Sequence, residues 1–172
     1  MTRSLVLTLL GNDRPGLVEK LSRLVGLHQG NWVESRMARL GGQFAGILRV
    51  DLPESNVPGF SAACSELRAR GLVIVIASEP SGEATPFSRR LNLELVGQDR
   101  PGIVREIAQA LAARQVNVEE LDTGVSSAPM SGQPLFFAKA KLGVPAQVTD
   151  QDLRSALEQI GEDLMVDVIL AE

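Results

Sequence analysis

Asp13 and Asp99 each stand two residues ahead of a Pro-Gly pair, and their surroundings repeat. Gly11-Asn12-Asp13-Arg14-Pro15-Gly16 returns as Gly97-Gln98-Asp99-Arg100-Pro101-Gly102. The chemistry on offer is charge recognition rather than bond breaking. A proline suits the first helical position, because its fixed φ matches the helix and no N–H is needed there. An aspartate just ahead of it is expected to cap free amides and to meet the positive end of the helix dipole. Gly16 and Gly102 keep the first turn bare, so a backbone or a small ligand can approach closely. Such a helix start suits a small anion such as a carboxylate. The same residues also describe a well-capped turn with no ligand, because a repeat preserves turn chemistry for structural reasons too.

Asn31 and Asn117 occupy equivalent places, each at the end of a helical pattern and the start of a strand. A side-chain amide there can both donate and accept hydrogen bonds to an α-amino acid. Asparagine also tolerates a left-handed cap, which explains it without a ligand.

The remaining chemistry is sparse. The chain has one histidine, His28, and one cysteine, Cys64. No internal disulfide and no zinc site of the Cys/His kind can be assembled from them. His28 closes a helical pattern and its counterpart in the second half is Arg114, which points to a favourable charge at a helix C-terminus. Cys64 lies on an apolar helical stripe and reads as a small hydrophobe. Trp32 opens a strand and reads as packing. No nucleophile, base and orienting group converge, so no catalytic residue and no cofactor are expected. Neither glycine loop has the lysine or the spacing of a nucleotide-binding fingerprint. The formal net charge is −4 and the arginines are spread along the chain, which argues against direct contact with nucleic acid or an acidic membrane. With no signal pattern and no membrane-spanning run, a cytoplasmic location is expected.

The elements that must position these residues also repeat. The loop recurs at an offset of 86 residues, half of a 172-residue chain, which predicts two small domains. We place them at 1–78 and 90–172, with an exposed linker at 79–89 rich in Pro, Ser and Gly. In the first half, a strand over 3–10 precedes the loop. A helix then carries Leu17, Val18, Leu21, Leu24, Val25 and His28 at spacings of three and four and stops at Gly30-Asn31. Strands over 32–40 and 44–52 are joined by Gly41-Gly42, a hairpin signal. A helix with Phe60, Ala63, Cys64 and Leu67 on one stripe and an apolar run over 72–77 follow. The second half repeats the order. A strand spans 90–96, and a helix has Ile103, Val104, Ile107, Ala108 and Leu111 inward. Strands follow at 117–125 and 135–142, then a helix opening at Thr149 with Asp152 as its capping-box partner, and a strand at 164–170. The connection over 126–134 is long for a hairpin, a mark of mobility or of function.

The order β-α-β-β-α-β predicts an α+β, ferredoxin-like fold in each half, a four-stranded antiparallel sheet with two helices on one face. Val6 and Leu10 lie on the other face of the first sheet, which therefore needs cover from the other domain or from a partner.

With the repeat, this order and the two Asp-Arg-Pro-Gly signatures together, the chain resembles a tandem ACT-domain protein. It is most similar to the glycine cleavage system transcriptional repressor family, over nearly its whole length. The resemblance implies a non-enzymatic regulator whose small ligand, commonly an amino acid, sits where the loop after the first strand of one domain meets a neighbouring domain. Carried over residue by residue, that implicates Asn12, Asp13, Arg14, Pro15, Gly16 and Asn31, and Gln98, Asp99, Arg100, Pro101, Gly102 and Asn117. It further implies glycine as ligand and a DNA-binding activator as protein partner, with no direct contact to nucleic acid. Homodimerisation through sheet edges stays open. The alternatives are a ligand-independent interaction module and a regulatory subunit of an amino-acid or one-carbon enzyme. The loops differ at Asn12 against Gln98, and Gly30 stands against Val116, so the two need not do the same work.

Overall fold

The computed structural model describes residues 1–78, 87–128 and 132–171. It divides into two compact units, Met1–Gly82 and Glu83–Glu172. Most of the linker expected over 79–89 lies outside the described residues, and Arg89 already belongs to a strand.

The first unit runs β1 (Thr2–Asn12), α1 (Leu17–Leu27), β2 (Asn31–Leu40), β3 (Gln43–Pro53), a short 3-10 turn (Glu54–Asn56), α2 (Val57–Ala69) and β4 (Leu72–Ser78). Its sheet has the order β2-β3-β1-β4, with antiparallel neighbours throughout. The second unit runs β5 (Arg89–Gln98), α3 (Ile103–Ala113), β6 (Asn117–Ser127), β7 (Pro134–Val144), α4 (Asp150–Leu164) and β8 (Val166–Ala171). Its order, β6-β7-β5-β8, is the same arrangement. Each unit is thus the expected α+β, ferredoxin-like sheet with two helices.

Strand alternation builds each core. Leu5, Leu7 and Leu9 of β1 point to the helices, where they meet Leu48, Val50 and Leu52 of β3. Leu91, Leu93 and Leu95 repeat the pattern in β5. The helices bury narrower stripes than their apolar content suggests: Leu17, Leu21 and Val25 in α1, and Ile103, Ile107 and Leu111 in α3. Val104 and Ala108, expected inward, are exposed, as is Val18 on the helical pattern of α1. Two helices share one sheet face, so a row at i, i+4 and i+8 is enough to close each core.

α1 ends at Leu27 with His28 as its C-cap, ahead of Gly30-Asn31, and α3 ends at Ala113 with Arg114 as its C-cap. Gln29 and its counterpart Gln115 take the left-handed conformation, each with φ of 57°. Gly30 is a packing residue instead, since a Cβ there would lie 2.6 Å from Leu52 Cδ2. The second unit fills the same place with buried Val116. Gly41 and Gly42 have φ of 57° and 78°, the two positive values of a type I′ hairpin turn. In the longer second connection, the Ala128 amide donates to the Gln133 carbonyl at 2.8 Å, while residues 129–131 lie outside the described set.

The helix-free sheet faces both mix apolar and charged residues. In the first unit Leu10, Ile47, Val73 and Val75 are exposed on neighbouring strands, beside the cross-strand pair Arg49–Glu34 at 3.6 Å. In the second, Val96 and Ile169 are exposed beside the cross-strand pairs Lys139–Glu94 and Lys141–Glu120, at 3.0 and 3.1 Å. No described helix is long and apolar enough to cross a membrane.

Candidate ligand loops

Each repeated loop leaves the end of the central strand β1 or β5 and enters α1 or α3. Its first glycine is dictated by packing: a Cβ on Gly11 would lie 2.6 Å from the Gly71 carbonyl oxygen, and one on Gly97 would lie 2.8 Å from that of Met165. Asn12 accepts a bond from Gln43 Nε2 at 2.9 Å. The Asp13 amide donates to the Gly42 carbonyl at 2.9 Å and the Asp99 amide to that of Pro134 at 3.1 Å, tying each loop to its hairpin.

The aspartates do not cap the helices. The N-cap residues are Gly16 and Gly102, left-handed at φ 86° and 102°, and no side chain caps either helix. That shift moves Pro15 and Pro101 out of the first helical position into the turn before it. Asp13 and Asp99 stand three residues ahead of these N-caps and make no cap bond to the helical amides. The first amides of each helix consequently have neither an intrahelical acceptor nor a side-chain cap. They remain donors at the positive end of the dipole.

Arg14 and Arg100 turn away from the helix start. Arg14 Nη2 donates to the Arg70 carbonyl, and Arg100 Nη2 donates to the Asp163 carbonyl at 2.6 Å. Both arginines hold the loop against the end of the second helix of their unit.

Asn31 and Asn117 stand elsewhere. β2 runs parallel to β1 across β3, so Asn31, opposite Asp51, is at the far end of the sheet from Asn12, opposite Gln43. Eight residues of strand separate those two positions, roughly 26 Å. Asn117, opposite Gly143, is likewise remote from Gln98, opposite Leu135. No single unit brings its loop and its asparagine around one small ligand. The left-handed cap is not their role either, because Gln29 and Gln115 hold that conformation.

The loops differ in charge. Asp13 pairs with Arg39 Nε at 2.6 Å, a residue that composition and motif do not single out. The tight Gly41-Gly42 turn sets the register that brings Arg39, opposite Phe44, beside the loop. The equivalent place in the second unit is Val125, opposite Phe136, and among the described residues Asp99 has no ion-pair partner. Around Gly16 there is open space, whereas Glu106 Oε1 lies 3.4 Å from where a Gly102 Cβ would be. The first helix start is thus the more open and the better suited to a carboxylate.

The other singled-out residues have structural roles. His28 and Arg114 are the C-cap residues of α1 and α3, and the His28 ring meets Phe60 edge-on at 5.6 Å. Cys64 is buried, and burial pushes its thiol up to about 11, so it stays protonated at neutral pH. Among the described residues no group of three or more His, Cys, Asp or Glu side chains could hold a metal.

The geometry agrees with the family comparisons. Models of the ACT domain match residues 3–69 and 92–161, one in each unit. The chain belongs to the ACT-domain family. It is 28% identical over 167 residues to the glycine cleavage system transcriptional repressor of Escherichia coli, covering 93% of this chain and 85% of that one. A solved structure of an unknown protein from Galdieria sulphuraria is 30% identical with a TM-score of 0.86, covering 100% of this chain and 99% of that one. A candidate glycine cleavage system transcriptional repressor of known structure has a TM-score of 0.70 at 21% identity, covering 99% and 96% of the chains, a likeness of fold alone. The tandem ACT architecture and the likeness to a repressor over nearly the whole chain support a regulatory role.

Proposed function

We propose that this protein senses a small amino acid, glycine first among the candidates, and passes the signal to a DNA-binding transcriptional activator by protein contact. The observation that carries the reading is the likeness to the E. coli repressor, which spans both ACT domains. The ligand carboxylate meets the uncapped amides after Gly16, with Asn12, Asp13 and Pro15 forming the seat and Asp13 close to the ammonium. Gln98, Asp99, Pro101 and Gly102 form the weaker second seat. Arg14 and Arg100 hold the seats in shape. Asn31 and Asn117 bear on the ligand only as contacts separate from their own unit's loop. Binding shifts the partner equilibrium by its differential affinity for the two states, typically ~1–3 kcal/mol.

The test is thermal stability against the twenty amino acids. A ligand at ~100 times its dissociation constant stabilises the native state by about 2.7 kcal/mol. Glycine is expected to raise Tm selectively, and Asp13→Ala to remove most of the rise. A rise undiminished in that variant takes Asp13 out of the site. No rise with any amino acid favours a second reading, a ligand-independent interaction module, for which the exposed Leu10, Ile47, Val73 and Val75 speak.

A further inference from the structure

In both units the loop and the turn after the second helix are joined twice, by different residues. The first joint is backbone against backbone. Gly11 pairs with Leu72 and lies under the Gly71 carbonyl, and Gly97 pairs with Val166 and lies under that of Met165. Gly71 and Met165 are the left-handed residues, φ 81° and 54°, that turn the chain from helix into the last strand. The second joint is the arginine. Arg14 reaches the carbonyl one residue before Gly71, and Arg100 reaches the carbonyl two residues before Met165. The Arg100 Nε is shielded and has no hydrogen-bond partner, so the bond through Nη2 is made at the cost of leaving Nε unbonded.

Carbonyls at a helix end lack intrahelical donors, and a guanidinium offers a charge-assisted bond from a rigid fork. Two different turn sequences, Arg70-Gly71-Leu72 and Asp163-Leu164-Met165-Val166, receive the same kind of bond. The common element is therefore the arginine in the loop. We infer that Arg14 and Arg100 are positioning residues that make each loop and the turn beyond its second helix one cooperative unit, opening together rather than separately. The inference concerns the free protein and does not depend on a ligand. Its consequence is that whatever orders a loop also orders the start of β4 or β8.

Hydrogen exchange of the intact chain tests this, because both ends carry hydrogen-bonded reporters. The Asp99 amide bonds Pro134 at 3.1 Å in the loop, and the Met165 amide bonds Glu162 at 3.2 Å in the turn. Arg100→Met keeps the apolar stem and removes the donor. The expected result is that exchange at Asp99 and Met165 rises together, by roughly tenfold, while amides inside α3 and β7 keep their rates. Arg14→Met repeats the test at Asp13 and Gly71, with a smaller rise expected because Arg14 is more exposed. A rise at the loop or at the turn alone, no rise at either, or a uniform rise across the unit would each overturn the inference.

Discussion

At the scale of single residues, the repeated motif is mostly architecture. Gly11 and Gly97 are required by close backbone approach, Gly16 and Gly102 by a left-handed helix start, and Arg14 and Arg100 by the turn they hold. The two kinds of glycine make a direct comparison. A methyl at Gly11 has a carbonyl oxygen 2.6 Å away, whereas a methyl at Gly16 meets nothing within 4 Å and carries only the cost of positive φ. Gly16→Ala is therefore expected to cost about 1 kcal/mol, and Gly11→Ala about 3 kcal/mol through displaced backbone. Chemical denaturation of the two variants checks the order, and equal losses would contradict the packing role of Gly11. The two aspartates are not equal, since among the described residues Asp13 has an ion-pair partner and Asp99 has none. That inequality was not legible in the motif. It arises from Arg39 on another strand, which reaches Asp13 through hairpin register.

At the scale of elements, caps and turns followed from local chemistry. The Gly41-Gly42 hairpin formed as read, and so did the start of α4. Thr149 Oγ1 accepts from the Asp152 amide at 3.1 Å. The Asp152 carboxylate answers through the Thr149 hydroxyl at 2.7 Å rather than through the backbone N–H of a full capping box. Thr149→Ala is expected to cost about 1 kcal/mol and to fray the first turn of α4. The amides of Asp150 to Leu153 should then exchange faster while the interior of α4 is unchanged. The starts of α1 and α3 were read less well. Proline and aspartate ahead of a helix are ordinary N-terminal signals, but Gly16 and Gly102 took the cap position because only glycine reaches that left-handed geometry without strain. The helix start was displaced accordingly, and its amides stayed free.

At the scale of the whole molecule, each unit has its own hydrophobic cluster. One is built around Leu5, Leu7, Leu48 and Phe60, and the other around Leu93, Leu142, Leu153 and Leu157. Deleting a fully buried leucine removes transfer free energy and leaves a cavity, so Leu7→Ala and Leu142→Ala should each cost about 2–5 kcal/mol. With separate clusters, each variant is expected to speed exchange chiefly in its own unit. Equal acceleration in both units from either variant would show that the two cores unfold as one.

What the amino-acid order determined by itself is the part of the protein governed by near neighbours. The 86-residue repeat, the β-α-β-β-α-β order, the alternation that buries Leu5, Leu7 and Leu9, and the glycine hairpin follow from steric and hydrophobic rules acting over a few residues. The likeness of both loops to the ACT signature was legible for the same reason. The tertiary structure decided which of those residues are near one another. Asn31 resembles a partner of the loop in sequence, yet β2 begins at the opposite end of the sheet. Arg39 carries no signature and lies against Asp13. Arg14 and Arg100 belong to the repeated motif and reach the carbonyls of Arg70 and Asp163, far along the chain. Strand direction and register set these distances, and both are fixed by pairing between segments far apart in the chain.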